Sequence, residues 1–247
     1  MIFHPLHLAT RTARLTALAL AAVVLTGCQG ITGSQQIAQV RVIDASPDAP
    51  NLDIYQNSPS QTSPGALYNI GFGTVSSYMA VPTGAYTHSA FNAGTQQQLA
   101  QVRGTFANGI EYTVLAGNIA ANLQMTVLRD QSVPASAGQT ALRFLGQATH
   151  SGPVDIYLLP PGFSLAGAAP FATGVSFGSN TGYINAPSGT YSIVAFPTGL
   201  APTAALPTYT GSQVNYPATS VRTILLLDQP PAGLQTITAS DFDPATS

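Results

Sequence analysis

The chain contains no lysine and no tryptophan, a single cysteine, and only 6% charged residues among its 247 positions. The missing lysines and the scatter of seven arginines exclude an electrostatic nucleic-acid surface, which needs clustered cations to displace counterions from phosphates. They also exclude a polybasic attachment to anionic lipid. With Cys28 alone, no intrachain disulfide can staple the fold, so its stability must come from a core. No apolar run approaches the roughly 20 residues that cross a bilayer as a helix. The run Leu15–Leu25 has eleven, and Ile224-Leu225-Leu226-Leu227 is long enough only for a buried strand. Low charge with abundant Ser, Thr, Asn and Gln can signal disorder, but 45% apolar content in regular short runs argues for a packed chain.

The amino-terminal stretch has the three parts of an export signal: Arg11 and Arg14, the apolar core Leu15–Leu25, and small residues before Cys28. Leu25-Thr26-Gly27-Cys28 resembles the bacterial lipobox. That resemblance implies cleavage before Cys28, lipidation of its thiol, and fatty acylation, palmitate for example, of the new amino terminus. Two or more chains, at about 0.8 kcal/mol per buried methylene, anchor a protein stably. Gln29, which is not the aspartate of inner-membrane retention, favours the outer membrane where the cell has two. The expected product has 220 residues, with five arginines against nine acids, and a polar tether over 28–38.

An internal repeat organises the remainder. Val40-Arg41-Val42 and Asp53-Ile54-Tyr55 recur 102 residues later as Leu142-Arg143-Phe144 and Asp155-Ile156-Tyr157. Phe72-Gly73 with Tyr78, and Pro82-Thr83-Gly84-Ala85-Tyr86, recur 105 later, and Thr113-Val114-Leu115 recurs 110 later. The growing offset places insertions in loops. The expected organisation is a signal peptide 1–27, a lipidated tether 28–38, repeat one 39–131, a linker 132–138, repeat two 139–243 and a tail 244–247. Short runs bounded by Pro, Gly, Asn and Ser predict strands near 39–45, 52–56, 75–81, 85–91, 98–105, 110–116 and 124–129 of repeat one. Val40 and Val42 share one face while Arg41 points away. The expected fold class is all-β: two tandem immunoglobulin-like antiparallel β-sandwiches. The alanine-rich stretch Leu165–Ala172 is broken by Gly167 and Pro170, so no helix is expected there.

The opening Val40-Arg41-Val42-Ile43-Asp44-Ala45-Ser46-Pro47-Asp48-Ala49-Pro50-Asn51-Leu52-Asp53-Ile54-Tyr55, followed by Phe72-Gly73-Thr74-Val75-Ser76-Ser77-Tyr78 and Pro82-Thr83-Gly84-Ala85-Tyr86, resembles the bacterial family called domain of unknown function 4397. Repeat two departs from the pattern, with Gly146, Ala148, Thr149 and His150 where repeat one has Asp44, Ser46, Pro47 and Asp48. The resemblance implies secreted or envelope-anchored β-domains, often in tandem, and transfers no catalytic residue.

Asp44, Asp48 and Asp53 are the candidates for a metal site, since calcium takes several carboxylate oxygens. Ser46-Pro47-Asp48-Ala49-Pro50 is equally good turn chemistry, and repeat two keeps only the counterpart of Asp53. Gly174-Val175-Ser176-Phe177-Gly178 fits a hydrolase nucleophile pattern but lacks the strand-to-helix context. His88, whose counterpart is Ile193, reads as a packed residue, and His150 lies in an unrelated loop. The recurring Tyr55, Tyr78, Tyr157 and Tyr183 are a candidate ligand platform, whereas Tyr86 and Tyr191, after Pro-x-Gly turns, fit tyrosine corners. No cofactor motif is present. The reading favours a non-enzymatic, lipid-anchored cell-envelope protein with a structural, adhesive or protein-binding role, its partners being the membrane and an envelope protein or polysaccharide. A carbohydrate-binding module is the alternative. An enzyme would need an inter-repeat site joining groups such as Asp48 and His150.

Overall fold

A computed structural model describes residues 36–57, 65–229 and 233–244. The lipobox, Cys28 and the first part of the tether lie outside the described residues. The chain from Gln36 onward forms one compact unit in which every described strand finds its partners, which makes it a self-contained folding unit. Repeat one supplies β1 (Ile37–Asp44), β2 (Leu52–Asn57), β3 (Gly65–Ile70), β4 (Met79–Pro82), β5 (Gly84–Asn92), β6 (Gln98–Phe106), β7 (Glu111–Gly117) and β8 (Gln124–Arg129). Repeat two supplies β9 (Gln139–Gly146), β10 (Val154–Leu159), β11 (Ala172–Val175), β12 (Asn180–Pro187), β13 (Gly189–Pro197), β14 (Tyr209–Tyr216), β15 (Val221–Asp228) and β16 (Leu234–Phe242). The alanine-rich stretch is turn up to the start of β11, as its Gly and Pro require.

The sheets come in matched pairs. An inner sheet in the order β4-β1-β7-β8 faces an outer sheet β3-β2-β5-β6, and repeat two reproduces both as β12-β9-β15-β16 and β11-β10-β13-β14. Alternation explains each sandwich: Val40 and Val42 of β1 meet Leu52 and Ile54 of β2, with Phe106 and Val114, in one buried cluster. Leu142, Phe144, Ile156, Ala195 and Ile224 do the same in repeat two. Every described strand pair is antiparallel except β1–β7 and β9–β15, which are parallel, because the chain leaves the outer sheet after β6 and re-enters the inner one beside β1. Two strands differ from expectation. β3 forms over Gly65–Ile70, where no strand was expected and Asn69 takes a φ of 56°, and β4 starts only at Met79, with Val75 making a single bridge to Ile43.

The second faces of the inner sheets are also buried. Ile43, Ala45 and Leu115 from repeat one close on Leu145, Leu225, Leu227 and Ala239 from repeat two. The two sandwiches therefore stack through their inner sheets into four β layers. The segment between the repeats joins this packing: Ala135 is buried against Ala141 and Val221, and its N–H donates to the Thr219 carbonyl at 3.0 Å.

Candidate functional site

Arginines from the two repeats lie at the centre of the seam. Arg41 and Arg143 occupy the same position in β1 and β9, on the face turned away from their own cores, and are 1% and 2% exposed. Each guanidinium reaches the aspartate of the other repeat. Arg41 Nη2 pairs with Asp241, and Arg143 Nη2 pairs with Asp130 at 2.6 Å, while Arg41 Nη2 also lies 3.6 Å from Asp130. The rest of the constellation is reciprocal too. Arg41 Nε donates to Thr113 Oγ1 at 2.8 Å, and that hydroxyl donates to Asp130 at 2.5 Å. Arg143 Nε donates to Thr223 Oγ1 at 3.0 Å, and Thr223 donates to Asp241 at 2.6 Å. Arg41 Nη1 reaches the Ser240 carbonyl and Arg143 Nη1 the Arg129 carbonyl, at 2.8 and 3.1 Å.

Tyr78 and Tyr183 complete this network rather than forming a ligand platform. Their hydroxyls donate to Asp130 at 2.7 Å and Asp241 at 3.0 Å. Their rings lie under the arginines, with guanidinium carbons 4.8 and 4.6 Å from the centroids, within cation–π range. Burial pushes both phenols well above their ordinary range, helped by the neighbouring Asp130 and Asp241 carboxylates. Burial by itself would lower the Arg41 guanidinium, but Asp241 and Asp130 outweigh it and hold the charge on. Two cations and two anions, each bonded on several sides, make a neutral buried cluster. It fixes the register of one repeat on the other.

The three candidate metal ligands are separate loop latches. Asp44 is 1% exposed and accepts the Ser46 N–H at 3.0 Å through one oxygen, while the other has no partner; burial raises it to about 6. Asp48 accepts the Ala120 N–H at 2.7 Å. Asp53 accepts the N–H groups of Asn69 and Gly94, at 2.8 and 2.9 Å, and Asp155 accepts those of Gly174 and Gly199, at 2.8 and 3.0 Å. All four donors sit at positive φ, between 56° and 81°, so the recurring Asp secures two left-handed turns in each repeat. Among the described residues no group of three His, Cys, Asp or Glu could hold a metal ion.

Ser176 lies in the turn between β11 and β12, where its N–H donates to Ser179 Oγ at 3.0 Å and its carbonyl accepts from the same hydroxyl at 2.7 Å. The Gly-x-Ser-x-Gly pattern here serves a turn that carries the chain from the outer sheet to the inner one, with Gly178 at φ 78° mirrored by Gly73 at 79°. Asp48 and His150 are not brought together: His150 is exposed and lies 3.2 Å from Asp228. A cleft of about 90 Å³ at the seam is lined by Leu115, Gln124, Gln147, Phe177 and other uncharged residues. His88 is buried, as its counterpart Ile193 foretold. Tyr191 forms the expected corner, donating to the Pro187 carbonyl at 3.0 Å.

Tyr55 and Tyr157 occupy the outward face of the outer sheets with different surroundings. Tyr157 is 4% exposed, packed on Phe196 and covered by Leu165 and Ala205 from the longer loops of repeat two. Tyr55 stands edge-on to Phe91 and Tyr68, with centroids 5.2 and 6.0 Å away, and Tyr68 is 66% exposed. The seam partners Asp130 and Asp241 were not among the sequence candidates. Their spacing of 111 residues, close to the offset of the neighbouring Thr113 and Thr223, is the signal that could have found them.

These observations define a class: tandem all-β sandwiches stacked by a reciprocal ionic seam. Over residues 38–157 the chain matches the family described as Domain of unknown function (DUF4397), a match that covers all of repeat one and ends within β10. No curated protein matches it in sequence. Among solved structures it is similar to the TIE protein of Bacillus anthracis, at 10% identity and TM-score 0.25, over 77% of this chain and 33% of that one. It is also similar to a family 26 carbohydrate-binding module of Eubacterium rectale solved with maltoheptaose, at 11% identity and TM-score 0.23, over 82% of this chain and 96% of the other. A cell adhesion protein from Bacteroides eggerthii gives 10% identity and TM-score 0.17, over 86% and 97%. Likenesses of this size carry no argument about function.

Proposed function

We propose that the chain is a non-enzymatic, lipid-anchored envelope protein that holds a stiff pair of sandwiches near a membrane and binds another envelope component. One observation carries this reading: the polar groups that recur in both repeats are spent on the fold. Asp53 and Asp155 latch turns, and Arg41, Arg143, Tyr78 and Tyr183 tie the repeats together. What such a body offers outward is a weakly charged sheet surface. Labelled palmitate is expected to enter the wild type and not Cys28→Ala, with the variant lost from membrane fractions. Unlabelled wild type, or a variant still fractionating with membranes, contradicts the anchor.

Tyr68, 66% exposed beside Tyr55 and Phe91, favours a second reading, a carbohydrate-binding module placed on repeat one, because the matching face of repeat two is covered by Leu165 and Ala205. Protease shaving of intact cells followed by a pull-down with residues 36–247 separates the two. A protein partner retained by Tyr68→Ala supports the first reading. A glycan partner lost in that variant supports the second.

A further inference from the structure

Because the repeats share strand order and register, each is a control for the other. In repeat one the two sheets part between the edge strands β3 and β4 and leave a cavity of about 230 Å³. Its apolar lining comes from Val42, Ile54, Leu67, Met79 and Val81, and its polar lining from Gln56 and His88. Strand register places Phe144 at the position of Val42, Ile184 at that of Met79, Leu158 at that of Gln56 and Ile193 at that of His88. In repeat two these side chains, together with Phe171, form continuous core, and the Phe144 and Phe171 rings meet edge-on at 6.1 Å. One fold thus exists in a filled and an open form. The open form has Val42 where the filled form has a phenylalanine, and two polar side chains, Gln56 and His88, where the filled form has Leu158 and Ile193.

His88 is 2% exposed, its ring packs edge-on against Phe106, and its Nδ1 has no hydrogen-bond partner. A buried polar atom without a partner is destabilising, and native proteins seldom keep one without a reason. Burial lowers the imidazole to about 4, so it is neutral at physiological pH, with one ring nitrogen to donate and one to accept. An engineered apolar cavity of ~150 Å³ takes up benzene, whereas drug-sized ligands need pockets of ~300 Å³ or more. The space here lies between those limits. Its largely apolar wall suits no sugar, whose many hydroxyls would lose their water without replacement.

We propose that the cavity of repeat one binds a small uncharged molecule with a compact apolar body and one hydroxyl, of the phenol or branched-alcohol class, which hydrogen-bonds to the polar wall that Gln56 and His88 supply. The site is independent of the membrane anchor and of the outer-sheet patch, so it stands or falls separately from the function proposed above.

The test titrates ¹⁵N-labelled residues 36–247 with p-cresol and, in parallel, with toluene, which has the same shape without the hydroxyl. Saturable shifts are expected for p-cresol at β3, β4, β5 and the His88 ring, with toluene at least tenfold weaker. Val42→Phe with His88→Ile, which installs the repeat-two residues, is expected to keep a dispersed spectrum and lose p-cresol binding. Equal binding of the two probes overturns the proposal without any variant. So do the absence of saturable shifts, undisplaced water as the sole occupant of the cavity, or undiminished binding in the double variant.

Discussion

Replacing Asp241 by Asn removes one charge from a cluster of two arginines and two aspartates that are all at most 6% exposed. Arg41 then faces a neutral amide, and the nearest remaining carboxylate oxygen, Asp130 Oδ2, is 3.6 Å away and already accepts from Thr113 and Tyr78, while Oδ1 pairs with Arg143. Burial raises the Asp241 carboxyl even beside Arg41, so Asn relieves part of its desolvation, but breaking a buried pair from one side leaves the Arg41 charge out of water without compensation and still costs about 3–5 kcal/mol. For a chain of this size, at roughly 2–4 °C per kcal/mol, the midpoint of thermal unfolding falls by about 6–20 °C. Urea unfolding of residues 36–247, followed by circular dichroism, gives the free energy directly. The decisive comparison is the double variant Arg41→Met with Asp241→Asn. Without Arg41 there is no orphan charge, the introduced amide oxygen still accepts from Thr223 and Tyr183, and Arg143 keeps Asp130, so at least half of the lost stability returns. A single-variant loss below about 1 kcal/mol, the value of an exposed pair, refutes the reasoning. So does a double variant less stable than the single one.

The remaining predictions concern buried titrations and the loop latches. Asp44 has a folded-state value of about 6 against 3.8, so the folded chain binds the extra proton between these limits and Asp44 destabilises most above pH 6. Asp44→Asn is therefore more stable than wild type at pH 7, by up to roughly 3 kcal/mol, and the gain disappears towards pH 4 in urea melts across that window. His88 has the opposite sign: its folded value of about 4 against 6.5 makes wild type lose stability as pH falls from 6.5 to 4. His88→Ile, with nothing to titrate, gains on wild type over the same interval by up to roughly 3 kcal/mol. Asp53→Ala and Asp155→Ala each leave two turn amides without their acceptor and cost about 1–3 kcal/mol, with faster amide exchange at Asn69 and Gly94 or at Gly174 and Gly199 respectively.

Short-range alternation made much of this fold legible. Val40 and Val42 announced a core face and Arg41 the opposite face, and the recurrence of these residues as Leu142, Arg143 and Phe144 announced the second sandwich. The destination of the opposite face was not legible, because one strand's pattern marks a side without naming what covers it. Arg41, expected only to point away from Val40 and Val42, is 1% exposed under the sister repeat. Tyr78 and Tyr183 failed as a platform for the same reason: repetition showed that they matter to the repeat, while their partners lie 52 and 58 residues away in sequence. β3 escaped because Asn69, at positive φ, interrupts its alternation, and the parallel β1–β7 pair joins strands with most of a repeat between them. Reading His88 against Ile193 did identify a buried residue. Only the packed structure shows that His88 also lines a cavity.

Differential scanning calorimetry of residues 36–247 tests most directly whether the seam makes the two sandwiches a single body. A joint body unfolds in one transition whose van't Hoff and calorimetric enthalpies agree, with a total of roughly 0.7 kcal/mol per residue near 60 °C. Two resolved transitions, each carrying about half of that heat, contradict the account.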